Sequence, residues 1–151
     1  CKPLMYAVAL EELTSTVVHQ YVGNEPRGKV TNEHIFNHNQ QPHNPMINAG
    51  AILTTSLVVT LVHDELSFLE KFNYVHGYFE SMAGDEESFG FNNSVFFSER
   101  EAADRNYALG FFMREHKVFP EKSNLRECID FYFQVSNLKK SLSIKIMFEN
   151  L

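Results

Sequence analysis

Apolar side chains recur every three or four residues between Leu66 and Met82, which is the spacing of one face of an α-helix. Gly84 comes just after this pattern and is a residue type that commonly ends helices. Other parts of the chain carry helical signals as well, and the sequence therefore predicts a mainly α-helical protein. The other predicted helices are 2–13, a helix beginning near residue 48, 98 to about 116, and 123 to about 135.

Two of these predicted helices depend on signals that can be interpreted in more than one way. The segment from Ile52 to Val62 is rich in β-branched residues, so a strand is an alternative to a helix there. Ser98 is followed three residues later by Glu101, which is the pattern of a capping box, and we therefore expect a helix to begin at Ser98.

A helix that began at Ser98 would place two polar side chains on one face. Glu99 and Asn106 are seven residues apart, close to two helical turns. A carboxylate and an amide that point the same way can hold the α-amino and α-carboxyl groups of an amino acid. The alternative is a solvated polar face without a ligand.

Composition limits the kinds of partner that the chain can bind. With 151 residues, of which 44% are hydrophobic, it is long enough for one domain with a core. The formal net charge of −6 argues against nucleic acid. The longest apolar stretch is shorter than the roughly 20 residues of a membrane span, so we expect no membrane partner. Cys1 and Cys128 are too few for a disulfide framework, which indicates a reducing compartment.

A long loop from Gly23 to Pro45 is predicted by its Asn, Gln, His, Pro and Gly content. Where this loop meets the helix near Asn48, backbone N–H groups and the Asn48 amide can hold a polar ligand. The alternative is a rigid loop in which Asn48 only caps the helix. His34, His38 and His43 also permit a metal site, but zinc sites usually add Cys or acidic ligands, so we expect no metal.

Several blocks of the sequence resemble, in order, the glutaminases of the animal kidney and liver type. The most specific are His-Asn-Pro-Met at 43–46 and Asn-Ala-Gly-Ala at 48–51. The resemblance extends from Lys2 to about Val135. The other blocks are 2–7, 21–28, 70–75, 98–100, 104–106 and 130–134.

This resemblance implies a serine-dependent amidohydrolase that converts glutamine into glutamate and ammonia through an acyl-enzyme, without a cofactor. It also implies the α/β fold of serine β-lactamases and penicillin-binding proteins, in which helices pack beside a sheet. Residues 1–135 would be the mainly helical part of the catalytic domain, with the sheet largely missing, and 136–151 a divergent tail. Lys2 matches the lysine of the S-x-x-K motif. Because the chain opens at Cys1 without an initiator Met, we expect it to begin inside a longer one, with the nucleophilic serine two residues before Cys1.

The resemblance also assigns substrate-binding roles to four residues. Asn48 matches the asparagine that holds the substrate, and Glu99 matches the acid that faces its α-amino group. Asn106 matches a second amide, and Tyr132 matches the tyrosine that closes the pocket. Glutamine is then the small-molecule substrate, and a mitochondrial homo-oligomer is expected, with residues 104–117 in the helical pair that forms the dimer. The alternative is a catalytically inactive helical module that binds an amino acid or partner protomers.

Overall fold

The computed structural model describes residues 1–26, 36–83 and 89–140, and these form six α-helices and one small sheet. The prediction of a mainly helical chain is confirmed for this part. The antiparallel strands pair Phe91 with Leu138. In chain order the elements are α1 (Lys2–Val18), α2 (Asn48–Leu61), α3 (Phe68–Ala83), β1 (Phe89–Phe91), α4 (Asn93–Glu101), α5 (Asp104–Glu115), α6 (Leu125–Ser136) and β2 (Leu138–Lys140).

Helix α2 lies at the centre of the described part, packed against α1, α5 and α6. Residues 49–59 are all buried, so the helix is covered on every side. Such a helix has no polar face to reveal its period, which is why a strand was an alternative for Ile52 to Val62. That alternative is wrong, because the segment is helical to Leu61.

Helix α1 is longer than predicted but is interrupted close to the predicted end. Leu13 is followed by Thr14 with φ 70° and ψ 154°, a conformation that is not helical. A positive φ is unfavourable for a β-branched residue, and Thr14 adopts it at an exposed position. The helix resumes after this break and runs to Val18.

The predicted helix from Ser98 to about His116 is wrong, since the segment forms two helices. Asn92 begins α4, and its side chain accepts a hydrogen bond of 3.0 Å from the N–H of Val95. This earlier cap places Ser98 inside α4, so Ser98 caps nothing. Glu99 and Asn106 consequently lie on different helices, and the argument that one helix face aligns them fails.

Helix α6 joins the two halves of the core. Asn124 begins it by accepting hydrogen bonds from the N–H groups of Arg126 and Glu127. Its buried face packs with α2 and α3 through Phe131 and with α2 and α5 through Ile129. The packing of α6 therefore positions Asn137 and β2, which follow its last turn.

Some predictions fall outside the described residues. Gly84, His34 and residues 141–151 are among them, and the proposed boundary after residue 135 stays a prediction. Within the described ranges, none of the helices combines the length and the low polarity needed to cross a membrane.

Candidate functional site

Asn48, in the first turn of α2, connects that helix with α1 and α5 through its side chain. The Nζ atom of Lys2 donates to Asn48 Oδ1 at 2.8 Å, and Asn48 Nδ2 donates to Asn106 Oδ1 at 3.4 Å. The residue at the N-cap of α2 is Ile47, and no side chain caps this helix. The interpretation of Asn48 as a cap is therefore wrong, because its amide bonds with α1 and α5 instead.

The backbone around Asn48 is held by a close approach of the preceding loop. A Cβ atom on Gly50 would overlap the carbonyl oxygen of Asn44 and lie 2.7 Å from its carbonyl carbon. The Asn44 side chain accepts from the N–H of Met46 at 3.0 Å and donates to the carbonyl of Glu25 at 2.9 Å. Only glycine allows this packing, which fixes the position of Asn48 at the start of α2.

A second group of polar side chains lies where α4 meets the end of α6. Tyr132 is buried, and burial raises the pKa of its hydroxyl; the Glu99 carboxylate acts in the same direction, and a hydrogen bond with Ser136 opposes both. The Glu99 Oε2 atom accepts a hydrogen bond of 2.8 Å from Asn137 Nδ2. Glu99 and Tyr132 are thus close enough to interact electrostatically.

The two groups are connected through the start of the chain. The Cys1 Sγ and Ser136 Oγ atoms are 3.2 Å apart, and Cys1 precedes Lys2. Hydrogen bonds, the covalent link from Cys1 to Lys2 and the electrostatic interaction of Tyr132 with Glu99 together connect the five predicted site residues, which come from five different helices. These residues are Lys2, Asn48, Glu99, Asn106 and Tyr132.

Lys2 is the candidate base of this set. Partial burial lowers the pKa of its ammonium from the ordinary value of 10.5. A lower pKa increases the neutral amine fraction near pH 7, and a neutral amine can accept a proton from a neighbouring hydroxyl. The site therefore combines a candidate base with amides and a carboxylate that match the polar ends of an amino acid.

An ion pair that the sequence does not reveal ties α4, the helix of Glu99, to α6. The Nε and Nη2 atoms of Arg100 lie 2.9 and 3.2 Å from Asp130 Oδ1 and Oδ2, in a bidentate arrangement. Tyr107 also donates to Asp130 Oδ1 at 3.2 Å. Both charges stand in blocks of the family resemblance, but a sequence alone does not say that they pair. Asn137 was missed as well, because it follows the end of those blocks.

Two histidines of the long loop lie near the carboxylate of Glu25. His38 Nδ1 and His43 Nδ1 lie 3.7 and 3.9 Å from the carboxylate of Glu25. Within the ranges that the structure covers, no three His, Cys, Asp or Glu residues are placed to hold a metal ion. His34, the third histidine of the metal alternative, lies outside them.

Comparison with known proteins places this chain in a family. The family model described as Glutaminase matches residues 1–147. The rat protein named glutaminase liver isoform, mitochondrial, is 41% identical over 138 residues, which are 91% of this chain and 22% of the rat protein. Glutaminase 2 of Clostridium perfringens is 34% identical over 125 residues, covering 81% of this chain and 38% of that protein.

Solved structures agree with the sequence comparison. The crystal structure of Mglu in its glutamate form has a TM-score of 0.75 and 28% identity, and the match covers 91% of this chain and 30% of that one. The chain thus spans less than a quarter of the rat relative's length and less than a third of Mglu's. The family match covers nearly every residue, and the chain belongs to the glutaminase family.

Proposed function

We propose that the full-length gene product, meaning this chain with the sequence that flanks it, hydrolyses L-glutamine to L-glutamate and ammonia. The observation that carries the proposal is the line of contacts from Lys2 through Asn48 to Asn106, and from Cys1 through Ser136 to Tyr132 and Glu99, in a chain of the glutaminase family. Further support comes from the relatives' names and from the glutamate form of Mglu.

In the proposed reaction the serine hydroxyl two residues before Cys1 loses its proton to the neutral amine of Lys2. The serine oxygen attacks the side-chain carbonyl carbon of glutamine, and the C–N bond breaks as Lys2 returns the proton to the leaving nitrogen, releasing ammonia. Water then attacks the γ-glutamyl ester, which frees glutamate and the serine. Partial burial lowers the pKa of Lys2, which favours the neutral amine that accepts the serine proton.

The other residues are assigned to substrate binding. The Glu99 carboxylate receives the α-ammonium group, where opposite charges and hydrogen bonds act together. The amides of Asn48 and Asn106 hold the other polar groups, and Tyr132 covers the substrate. Amides and hydroxyls of this kind favour glutamine over an isostere that lacks the matching polar atoms, because such an isostere leaves them unpaired.

The proposal extends to the fold, the location and the assembly of the full-length gene product. We propose a serine β-lactamase-like catalytic domain in which residues 1–135 form the helical part. A mitochondrial location is supported by the names of the rat and mouse liver isoforms. Self-association is supported by exposed aromatic rings on α5, where Phe111 and Phe112 are 37% and 39% exposed.

Ammonia release by the full-length gene product tests the reaction. We expect activity with L-glutamine, and we expect Lys2→Ala to abolish it. Lys122→Ala is the matched control, because Lys122 lies in an exposed turn outside the site. A product that has no serine two residues before Cys1 and releases no ammonia would contradict the proposal. If such a product still binds L-glutamate in a calorimetric titration, the inactive binding module is the correct alternative.

Light scattering tests the assembly separately. Phe111→Glu should lower the mass of a homo-oligomer to that of a smaller species. Phe112 is a less suitable choice, because its ring stacks on Phe36 at 5.6 Å and a change there would also disturb the fold. An unchanged mass for Phe111→Glu would remove α5 from the interface.

A further inference from the structure

Among the residues that the structure describes, Asn137 combines full burial with a direct bond to a proposed substrate-binding group. None of its surface is exposed. Its Nδ2 atom donates to Glu99 Oε2 at 2.8 Å and to the carbonyl oxygen of Phe133 at 2.8 Å. An amide nitrogen has two N–H donors, so both are used. One buried side chain thereby links the last turn of α6 to the carboxylate on α4.

The orientation of the Asn137 amide follows from its two partners. Both the Glu99 carboxylate and the Phe133 carbonyl are acceptors, and a flipped amide would place its own oxygen against them. In the unflipped orientation Oδ1 is buried and has no hydrogen-bond partner among the described residues. Burying an unpaired oxygen costs free energy that an apolar side chain would avoid, and the two hydrogen bonds from Nδ2 offset that loss.

The backbone at Asn137 is fixed independently of its side chain. Asn137 is the residue after α6, and its N–H bonds with the carbonyl groups of Phe133 and Gln134. It is followed by β2, whose partner β1 leads into Asn92, the cap of α4. The amide therefore projects from a held position towards a helix that the same sheet anchors.

The consequence for Glu99 is a carboxylate with one oxygen held and one left for a ligand. Oε2 accepts from Asn137, while Oε1 has no hydrogen bond to the residues that the structure describes. Glu99 itself is exposed at the surface of this chain, and an exposed glutamate normally samples many rotamers. A bond from a buried donor removes much of that freedom before a ligand arrives.

We propose that Asn137 is a positioning residue that orients the Glu99 carboxylate for the α-ammonium group of the amino-acid substrate. The inference rests on the proposed function, since it deepens the role given to Glu99. Asn137 does not touch the reacting atoms, so its removal should weaken binding more than it slows the chemical steps.

The test uses two substitutions in the full-length gene product. Asn137→Ala removes the amide and leaves a space, whereas Asn137→Leu removes the amide and keeps a side chain of the same branched shape. Any effect that both share reports on the amide. Asn124→Ala is the matched control, because Asn124 is the same residue type at the other end of α6 and its side chain only caps that helix.

The measured quantities are kcat and KM for L-glutamine and the inhibition constants of L-glutamate and of glutarate, which lacks the α-amino group. For both Asn137 variants we expect KM to rise about tenfold with kcat nearly unchanged, the size expected when a hydrogen bond to a charged group is lost. L-glutamate inhibition should weaken by a similar factor and glutarate inhibition much less. Asn124→Ala should lower the melting temperature and leave these constants unchanged.

Two other results would overturn the inference. One is an unchanged KM in both Asn137 variants. The other is an equal weakening of L-glutamate and glutarate, which a general disturbance of the fold produces. A wild-type protein that releases no ammonia would instead contradict the proposed function, so the two failures are distinguishable.

Discussion

The ammonium group of Lys2 and the side-chain oxygen of Asn48 are joined by a hydrogen bond of 2.8 Å that bridges the first turns of α1 and α2. The bond restrains a long, flexible side chain, while partial burial lowers the pKa of its amine. A general base has to be both positioned and able to lose its proton, and these two effects act on the same nitrogen.

A change of Lys2 to arginine separates charge from proton transfer. Arg keeps the positive charge but stays protonated at any working pH, so we expect Lys2→Arg to reduce ammonia release by the full-length gene product about 10²- to 10⁴-fold. In the wild type, kcat should rise with pH through a pKa below 10.5, because the neutral amine is the active form. A pH–rate profile checks both points. Substantial activity in Lys2→Arg would exclude Lys2 as the base.

The ion pair of Arg100 and Asp130 should stabilise the contact of α4 with α6. Asp130→Ala removes the bidentate pair and the partner of the Tyr107 hydroxyl. Because the Arg100 and Asp130 side chains are 47% and 26% exposed, we expect a loss of only about 1 kcal/mol in the free energy of unfolding. Denaturant unfolding measures it. Tyr107→Phe keeps the ion pair and should cost less.

Added salt distinguishes the contribution of the Arg100–Asp130 ion pair from that of the Tyr107–Asp130 hydrogen bond. The difference between wild type and Asp130→Ala should shrink at high ionic strength, because the pair is partly exposed to solvent. The difference between wild type and Tyr107→Phe should change little. An equal response of both variants to salt would mean that the ion pair contributes nothing beyond the hydrogen bond from the Tyr107 hydroxyl.

How far the sequence predicts this structure depends on how each helix is exposed. Helix α3 has one apolar and one polar face, so its predicted range of 66–82 lies within two residues of the observed Phe68–Ala83. The predicted start at Ser98 is too late, because Asn92 and Ser98 both carry cap signals and Asn92 is the cap in the structure. The break between α4 and α5 is not predicted, because it contains Ala102 and Ala103 and no Gly or Pro.

The residues of the candidate site were predicted on two grounds, helix geometry and the family resemblance. The prediction that one helix face aligns Glu99 and Asn106 was wrong, because the two residues lie on different helices. Their roles in substrate binding stay predictions from the family resemblance. Contacts between distant segments, such as the one joining Lys2 and Asn48, depend on how helices pack and leave no local pattern. Asn137 shows the same limit, because a lone asparagine has no periodicity or motif.

Two glycines offer a matched test of the loop that positions Asn48. At Gly50 an added Cβ overlaps the backbone of Asn44, whereas at Gly77 in α3 nothing lies within 4 Å. We expect Gly50→Ala to destabilise the protein by roughly 1–3 kcal/mol, as overpacking against backbone does. Gly77→Ala should stabilise it by about 0.5–1 kcal/mol, because alanine has a higher helix propensity than glycine and Gly77 lies at an exposed position of α3.

Thermal unfolding shows directly whether each variant is more or less stable than the wild type. Gly50→Ala should also raise the KM for L-glutamine, since the first turn of α2 carries Asn48, while Gly77→Ala should leave KM unchanged. Equal melting temperatures for Gly50→Ala and wild type would show that the loop moves away freely, and the local constraint described for Asn48 would then be wrong.

Glu12 should make the stability of the protein depend on acid pH. Its Oε1 atom accepts hydrogen bonds of 2.6 Å from the hydroxyls of Tyr74 and Tyr78, which ties α1 to α3. The bond from Tyr74 and then that from Tyr78 lower the pKa of this carboxyl below its ordinary 4.5. A depressed pKa in the folded state contributes stability above pH 4.5, and that contribution is lost as the pH falls through the folded value.

Glu12→Gln removes the titrating group and keeps an acceptor oxygen. The difference in unfolding free energy between wild type and Glu12→Gln should therefore be largest near neutral pH and decrease as the solution is acidified below about pH 4.5. Denaturant unfolding at a series of pH values measures this difference, with Glu11→Gln as the control on the neighbouring, exposed carboxylate. Parallel pH profiles for wild type and Glu12→Gln would mean that the two tyrosine hydroxyls bind the charged and the neutral carboxyl equally well, and the link between α1 and α3 would then be insensitive to acid.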